Sequence, residues 1–429
     1  MTPEVKKRIE QIRQGIVPEG YKKGKIGIVP IKWNEIPFST LFTSTSEYTD
    51  DLKQYPLYSL TIEDGITAKT ERYERSHLVK KENSYKVVRP NDYAYNPMNI
   101  RFGAVARHKG DIPVAVSGYY DIFTTVHESD LVFMDSFLTY GPMITYYNKV
   151  STGSLVEKQR VHFSDFLEFS LALPPLEERK KIAEILSTQD KAIELQERKI
   201  EELKRFKKGC LEKMFPRKGQ KVPETRFPGF TGDWEQRKLS DLAEKTYGGG
   251  TPTTSNEAYW NGDIPWIQSS DVVDGKLLGV EPRKWITQGG LNNSAAQLIP
   301  ENSIAIITRV GVGKLAFMPY SYATSQDFLS LSKLNVEPFF AVYACYKKLQ
   351  SELNAVQGTS IKGITKDELL AKSIMVPRYA EQQQIGAFFK QLDNLITLHQ
   401  RKLDEMKKQK KALMQLLLTG IVKTKGEVR

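Results

Sequence analysis

One stretch of this chain occurs twice, and that repeat limits what the chain can fold into. Residues 174–216 realign on 377–419 at a constant shift of 203 positions, without a gap, and twelve of the 43 aligned residues are identical. Pro174/Pro377, Glu178/Glu381, Ile182/Ile385, Asp190/Asp393, Arg198/Arg401 and Lys207/Lys410 are among them. The unit is too long for a solenoid repeat and occurs only twice. Each copy reads as one long helix. Prolines stand at the front (Pro174-Pro175 and Pro377), where a first helical turn tolerates them, and none interrupts the stretch after them before its end. Apolar residues recur at heptad spacing: Ile182, Leu186, Ile193, Ile200, Leu203, Cys210 and Met214 in the first copy. Ile385, Phe389, Leu392, Ile396, Leu403, Met406, Leu413 and Leu417 answer in the second. The outer faces stay charged. At 1.5 Å per residue, about 40 residues make a rod of about 60 Å. Two matching seams in one chain most economically pack on each other, and their residues leave parallel and antiparallel pairing open.

The stretches around the helices are mixed in texture. Residues 2–15 look like a short charged helix. Short β-rich runs follow (Tyr85–Val88, Ile112–Val116, Asp121–Val126) between Gly, Pro, Asn and Ser turn clusters. Residues 217–232, rich in Gly, Pro and Lys, read as a linker, and the mixed texture returns from Trp234. The two halves echo each other: Trp33 and Ser39 answer Trp234 and Ser240, and Pro90…Gly103 answers Pro300…Gly313. The expected fold is α+β, with two mixed α/β domains separated by two long helices and an internal pseudo-twofold duplication. The boundaries are 1–173, 174–216, 217–376, 377–420 and a basic tail at 421–429.

With 429 residues, 40 % of them hydrophobic, the chain can build more than one core. No apolar run has the length of a membrane span or the form of a signal peptide, which predicts a cytoplasmic protein without a membrane partner. Cys210 and Cys345 form no paired motif, and the five histidines (77, 108, 127, 162 and 399) are scattered, so a metal site has no support. The net charge of +11 favours a polyanionic partner, although most of the excess lies in the long helices and the tail.

Catalytic motifs fail on inspection. Gly311-Val-Gly-Lys314 lacks the earlier glycine and the following Ser or Thr of a phosphate loop. Asn96-Pro97-Met98-Asn99 lacks the second proline and the aromatic ring with which adenine methyltransferases stack a flipped base. Gly248-Gly249-Gly250 has no βαβ frame and reads as a loop apposed to a partner's backbone. Binding chemistry remains. Arg309 and Lys314 flank glycines that let a phosphate or base edge approach. Thr324, Ser325 and Gln326 add hydroxyls and an amide that can pair with adenine, and Thr251 and Thr253 add further hydroxyls. The equivalent region of the first half supplies Asn96, Asn99 and Arg101, then Ser117 and Tyr119. Any one of these could be an ordinary turn or ion-pair residue. Their recurrence at matching places in both halves lifts the set.

LPPLEERKKIAEIL at 173–186 and VPRYAEQQQIGAFF at 376–389, with KVPETRFPGFTGDWEQRKLSDLAE at 221–244 and GGGTPTTSNEAYWNGDIPWIQSSDV at 248–272, carry a family resemblance over nearly the whole chain. The chain resembles the specificity subunits of type I restriction-modification enzymes. The resemblance implies a non-catalytic reader of double-stranded DNA, one half of an asymmetric two-part sequence per recognition domain. It implies that the helices pack as an antiparallel coiled coil that fixes the spacer. Two methylation subunits, carrying S-adenosylmethionine, would assemble around it as an adenine-N6 methyltransferase, and restriction subunits using ATP and Mg would complete the nuclease. This chain would bind no cofactor itself. Pro174, Glu178 and Ile182, with Pro377, Glu381 and Ile385, mark the helix starts expected to meet those partners. The rival reading from the residues is a coiled-coil protein scaffold without DNA specificity.

Overall fold

The computed structural model describes residues 2–69, 84–155, 158–355 and 363–423, which leaves His77 and tail residues 424–429 outside the described residues. The chain forms two compact units, one of residues 1–195 with 403–429 and one of residues 196–402.

In the first unit a four-stranded antiparallel sheet runs in the order Val105–Arg107, Tyr93–Tyr95, Asp121–Thr125, Phe42–Thr45. Side chains alternate across it. Tyr93, Tyr95 and Phe123 enter the main core, while Ala94 and Ile122 enter a smaller one on the other face. Phe38, Phe42 and Phe166 join the main core at ring spacings of 5.1 to 5.7 Å, in edge and stacked contacts. Ile182 and Leu186 from the first long helix, Leu176–Lys213, and Leu417 and Leu418 from the end of the second, Tyr379–Leu418, complete it. Tyr21 Oη donates to Gly420 O at 2.8 Å, and Arg8 donates to Ile421 O, so residues 420 and 421 are fastened to the stretch 8–21 in this unit.

The second unit builds its sheet in the same order: Leu315–Met318, Ser303–Ile307, Phe328–Leu334, Ala243–Gly248, again antiparallel. Ser303–Ile307 is buried at every residue, as a central strand covered on both faces requires. Ile304 and Ile306 face the main core, and Ala305 and Ile307 face a second. Leu211 from the last turn of the first long helix, Met214 and Phe215 just past its end, and Ile385 and Phe389 from the start of the second helix close the main core.

The helix starts are built alike. A short strand pairs antiparallel with one near the domain's beginning, Ser170–Leu173 with Asn34–Pro37 and Ser373–Val376 with Glu235–Lys238, and leads directly into the helix. The expected first-turn prolines, Pro174 and Pro377, stand two residues ahead of the helices. Their carbonyls accept from Arg179 Nη1 at 3.0 Å and Gln382 Nε2 at 2.8 Å, side chains 203 positions apart. The run expected as a strand from Ile112 begins at Val114, because Pro113 has no N–H to give the ladder. The linker is tied down within its unit: Arg226 forms a double hydrogen bond with Glu381, 2.7 Å on each arm, and Phe227 packs on Phe388.

The helices meet in both units. In the second, Gln196 Nε2 lies 2.8 Å from His399 Nδ1 and Lys207 Nζ 2.6 Å from Asp393, so a step forward on one helix matches a step back on the other. In the first, Lys410 pairs with Asp190 at 2.5 Å, and Gln189 donates to Met406 O. No described helix is long and apolar enough to cross a membrane.

Arg179 and Asp130 form a buried two-armed ion pair at 2.7 and 3.0 Å. Asp130→Ala strands a buried guanidinium and is expected to destabilise the first unit by about 3–5 kcal/mol in chemical or thermal unfolding. Glu177→Ala, which removes an exposed pair with Lys180, should change stability by under about 0.5 kcal/mol.

Candidate nucleic-acid interface

The registers place the candidate loops of each unit at one end of its four-stranded sheet. In the first unit Tyr95 pairs with Val105 and with Asp121. The loops 96–104 and 117–120 therefore leave the same edge. In the second, Ile306 pairs with Leu315, Ile307 with Phe328 and Gly248 with Leu329, so loops 308–314, 324–327 and 249–253 leave together. The long helices contribute to the main cores beneath.

In the first unit several expected readers are engaged internally. Asn96 is buried, and its Oδ1 accepts from Met98 N and Asn99 N, an Asx turn. Arg101 is buried and donates to Asn148 Oδ1 at 3.1 Å, while Asn148 Nδ2 returns a bond to Arg101 O. Asn148, on the helix Gly141–Val150, carries no signal in the sequence that would mark it as this partner. Ser117 Oγ accepts from Tyr119 N. Asn99 and Tyr119 are exposed at the sheet end. Burial pushes the Tyr120 hydroxyl up, opposed by its hydrogen bond with Asn96, which links the two loops. Burial also raises the Asp121 carboxyl, opposed by Lys86 at 3.5 Å.

The second unit assembles its candidates more tightly. Gly250 N donates to Thr324 O at 2.9 Å, and Thr251 Oγ1 donates to Gln326 Oε1 at 2.6 Å. Thr324 is fully buried and Ser325 nearly so, with Ser325 Oγ 3.4 Å from Asp327, so these two support the loop and leave Gln326 exposed. Thr308 N and Oγ1 both donate to Asp327 O, at 2.8 and 3.0 Å, which fastens the start of loop 308–314 to loop 324–327. Arg309 is exposed with no hydrogen bond or ion pair among the described residues, and Lys314 is half-buried. Of the three glycines expected to face a partner's backbone, Gly248 has open space at its Cβ position, while Gly249 and Gly250 lie against their own unit. An added Cβ on Gly249 would collide with Ser325 O, and one on Gly250 with the Ala295–Ala296 backbone.

Sequence reading missed an aromatic clamp. Trp266 Nε1 donates to Gly250 O at 3.0 Å and Trp260 Nε1 to Thr253 O at 3.3 Å. Lys284 Nζ stands 5.6 and 5.9 Å from the two ring centroids. The two tryptophans six residues apart were its only trace.

The helix-start residues are spent within the chain. Pro174, Pro377, Ile182 and Ile385 are buried. Glu381 is fully buried against Arg226, while Glu178 accepts from Trp33 Nε1 at 3.4 Å and pairs with Lys32 at 3.6 Å. Among the described residues no group of three or more His, Cys, Asp or Glu could hold a metal.

A family model for the type I restriction modification DNA specificity domain matches residues 136–205 and 231–408, more than half of the chain. The chain belongs to that family. The MjaX type I restriction enzyme specificity subunit of Methanocaldococcus jannaschii, whose own name is provisional, is 25 % identical over 98 % of this chain and 93 % of its own length. The EcoR124I/EcoR124II specificity subunit of Escherichia coli is 30 % identical over 38 % of this chain and 42 % of its own. The fold is that of a solved type I S subunit from M. genitalium, with TM-score 0.56 at 12 % identity over 92 % of this chain and 99 % of that one. A chain solved in a study of assembly and conformational transition of a type I system gives TM-score 0.55 at 18 % identity, with the same coverage. This specificity-domain chain thus carries its candidate readers on loops held by glycines, tryptophans and short hydrogen bonds.

Gly249→Ala should destabilise the second unit by roughly 1–3 kcal/mol, whereas Gly248→Ala, with open space around its Cβ position, should stay within about 1 kcal/mol. Thermal unfolding of the two variants side by side checks this.

Proposed function

We propose that this chain is the sequence-reading subunit of a type I restriction-modification system: a non-catalytic binder of double-stranded DNA that reads an asymmetric, two-part sequence with one unit per half-site. The observation that carries the reading is the repetition of one sheet order in both units, each with its exposed polar loops at the corresponding sheet end. Duplication accounts for this. It also accounts for the pairs Lys207–Asp393 and Lys410–Asp190, which exchange roles under the shift of 203 positions. The long helices act as an antiparallel coiled coil that fixes the unspecified spacer. In this reading Asn99, Tyr119, Thr251, Arg309, Lys314 and Gln326 approach the DNA, while Asn96, Arg101, Ser117, Thr253, Thr324 and Ser325 shape the loops. Pro174, Glu178, Ile182, Pro377, Glu381 and Ile385 present the helix starts to two methylation subunits by fixing their geometry. Those subunits supply S-adenosylmethionine and flip the target adenine, and restriction subunits supply ATP and Mg. The protein works in the cytoplasm.

The deciding experiment is modified-base sequencing of DNA from a methylation-free host that expresses this chain with its neighbouring methylation subunit. Methyladenine at a split motif, lost when this chain is omitted, is the expected result; no motif despite a stable complex of the two proteins refutes the reading. Inserting four residues into each long helix, about 6 Å of rise, should lengthen the spacer by about two base pairs at ~3.4 Å each, and an unchanged spacer would rule out the ruler role. Arg309→Ala should relax one half-site only, by on the order of 1–3 kcal/mol, if the guanidinium reads a base. Uniform weakening across sequences would mark a phosphate contact instead.

A further inference from the structure

We infer that the exposed apolar residue at one hairpin tip of each unit, Phe102 in the first and Val310 in the second, reads the C5-methyl group of a thymine in its half-site. The inference rests on the DNA-reading function proposed above and adds the base feature that these two side chains recognise.

The two residues occupy corresponding places. Each lies in the loop that joins an inner strand of the four-stranded sheet to its edge strand, Tyr93–Tyr95 to Val105–Arg107 and Ser303–Ile307 to Leu315–Met318. Phe102 is 55 % exposed and Val310 71 %. Each follows an exposed polar candidate closely in the same loop, Asn99 in the first unit and Arg309 in the second.

The roots of both tips are fixed. In the first, Phe102 N donates to Asn99 O at 2.9 Å and Gly103 N to Ile100 O at 2.8 Å, which closes a 3-10 turn. Side chains three residues apart eclipse in such a turn, so Phe102 and Asn99 share a face. Ile100 and Arg101 are buried, and the Arg101–Asn148 bonds at 3.1 and 2.7 Å pin the turn to the helix Gly141–Val150. The Arg101 guanidinium lies 5.5 Å from the Phe102 ring centroid. In the second tip, Thr308 is bonded to Asp327 O through both its N and its Oγ1, and Thr308 O accepts from Ile364 N at 2.7 Å. Gly313 has a left-handed φ of +91° and lies against Leu353, where a Cβ would collide. The apolar side chains are thus held out before any ligand arrives, which lowers the ordering cost of binding.

Base edges in the major groove are otherwise polar donors and acceptors, and thymine adds an apolar C5-methyl group that Phe and other apolar side chains contact. An apolar side chain that reaches a base edge there matches thymine. Each tip presents a single apolar residue rather than a patch, far less than the roughly 800 Å² per partner that an ordinary protein interface buries.

The test is binding of the complex of this chain and its methylation subunit to duplexes carrying the methylated motif, at one salt concentration. Deoxyuridine, which lacks only the methyl group, replaces each thymine of the half-sites in turn. The parent complex should bind about three- to fivefold more weakly at one position in each half-site, the effect of losing one buried methyl contact. Phe102→Ser should make one half-site bind the thymine and deoxyuridine duplexes equally, and Val310→Ser should do so for the other. A parent complex indifferent to deoxyuridine at every thymine of a half-site overturns the inference for that unit, as does a half-site without A·T pairs. A serine variant that keeps the parent's deoxyuridine effect overturns it too, because the side chain is then a wedge or a packing contact. If a variant fails to fold, the parent series alone decides. A chain that yields no split motif removes the functional reading and this inference together. A split motif insensitive to every methyl group removes this inference only.

Discussion

Neither unit can close its core with its globular residues alone. In the first, Ile182, Leu186, Leu417 and Leu418 come from the long helices; in the second, Leu211, Ile385 and Phe389 do, with Met214 and Phe215 directly after the first helix. Burying a side chain of this size contributes up to about 1.5–3 kcal/mol, so each set is worth on the order of 10 kcal/mol as an upper estimate. That is comparable with the whole stability of an ordinary domain. The helices are therefore structural members of both units, and the chain cannot be parted cleanly into modules and spacer. Residues 403–423 belong with the N-terminal stretch for the same reason.

The helix starts show how one design tolerates different chemistry in its two copies. Arg179 and Gln382 both hold the proline carbonyl ahead of the helix, yet their other partners differ. Arg179 pairs with the Asp130 carboxylate, whereas Gln382 Oε1 accepts from Glu337 N at 2.9 Å. Glu178 takes the Trp33 indole and Lys32, whereas Glu381 takes Arg226 from the linker. Trp234, at the place of Trp33, then has no partner for its indole N–H among the described residues. Burial drives the charge matching: a carboxylate as enclosed as Glu381 requires a cation or several donors, and the sequence near each start supplies a different one.

The candidate reading surface was legible in outline and only partly in detail. Pairing the halves by their shared Pro…Gly spacing located loops that the sheets do bring to a common end. It could not separate a side chain that faces solvent from one that builds the loop. Asn96 and Arg101 look like readers by residue type, but a local Asx turn and a helix 47 residues further on absorb them. The tryptophan–lysine clamp under residues 250–253 left only the spacing of its two tryptophans in the sequence, because its members lie between Thr253 and Lys284 and meet only when the strands Trp260–Ile267 and Lys284–Ile286 pair.

The sequence by itself determined the repeat, the two long helices and the absence of recognisable catalytic motifs, since these follow from periodicity and residue order along the chain. Tertiary structure decided which charges are spent internally, that Thr308 is fastened to the Asp327 carbonyl, and that Thr251 Oγ1 donates to Gln326 Oε1. Those outcomes depend on distances between residues tens of positions apart. Strand register fixes such distances, and local composition does not encode them.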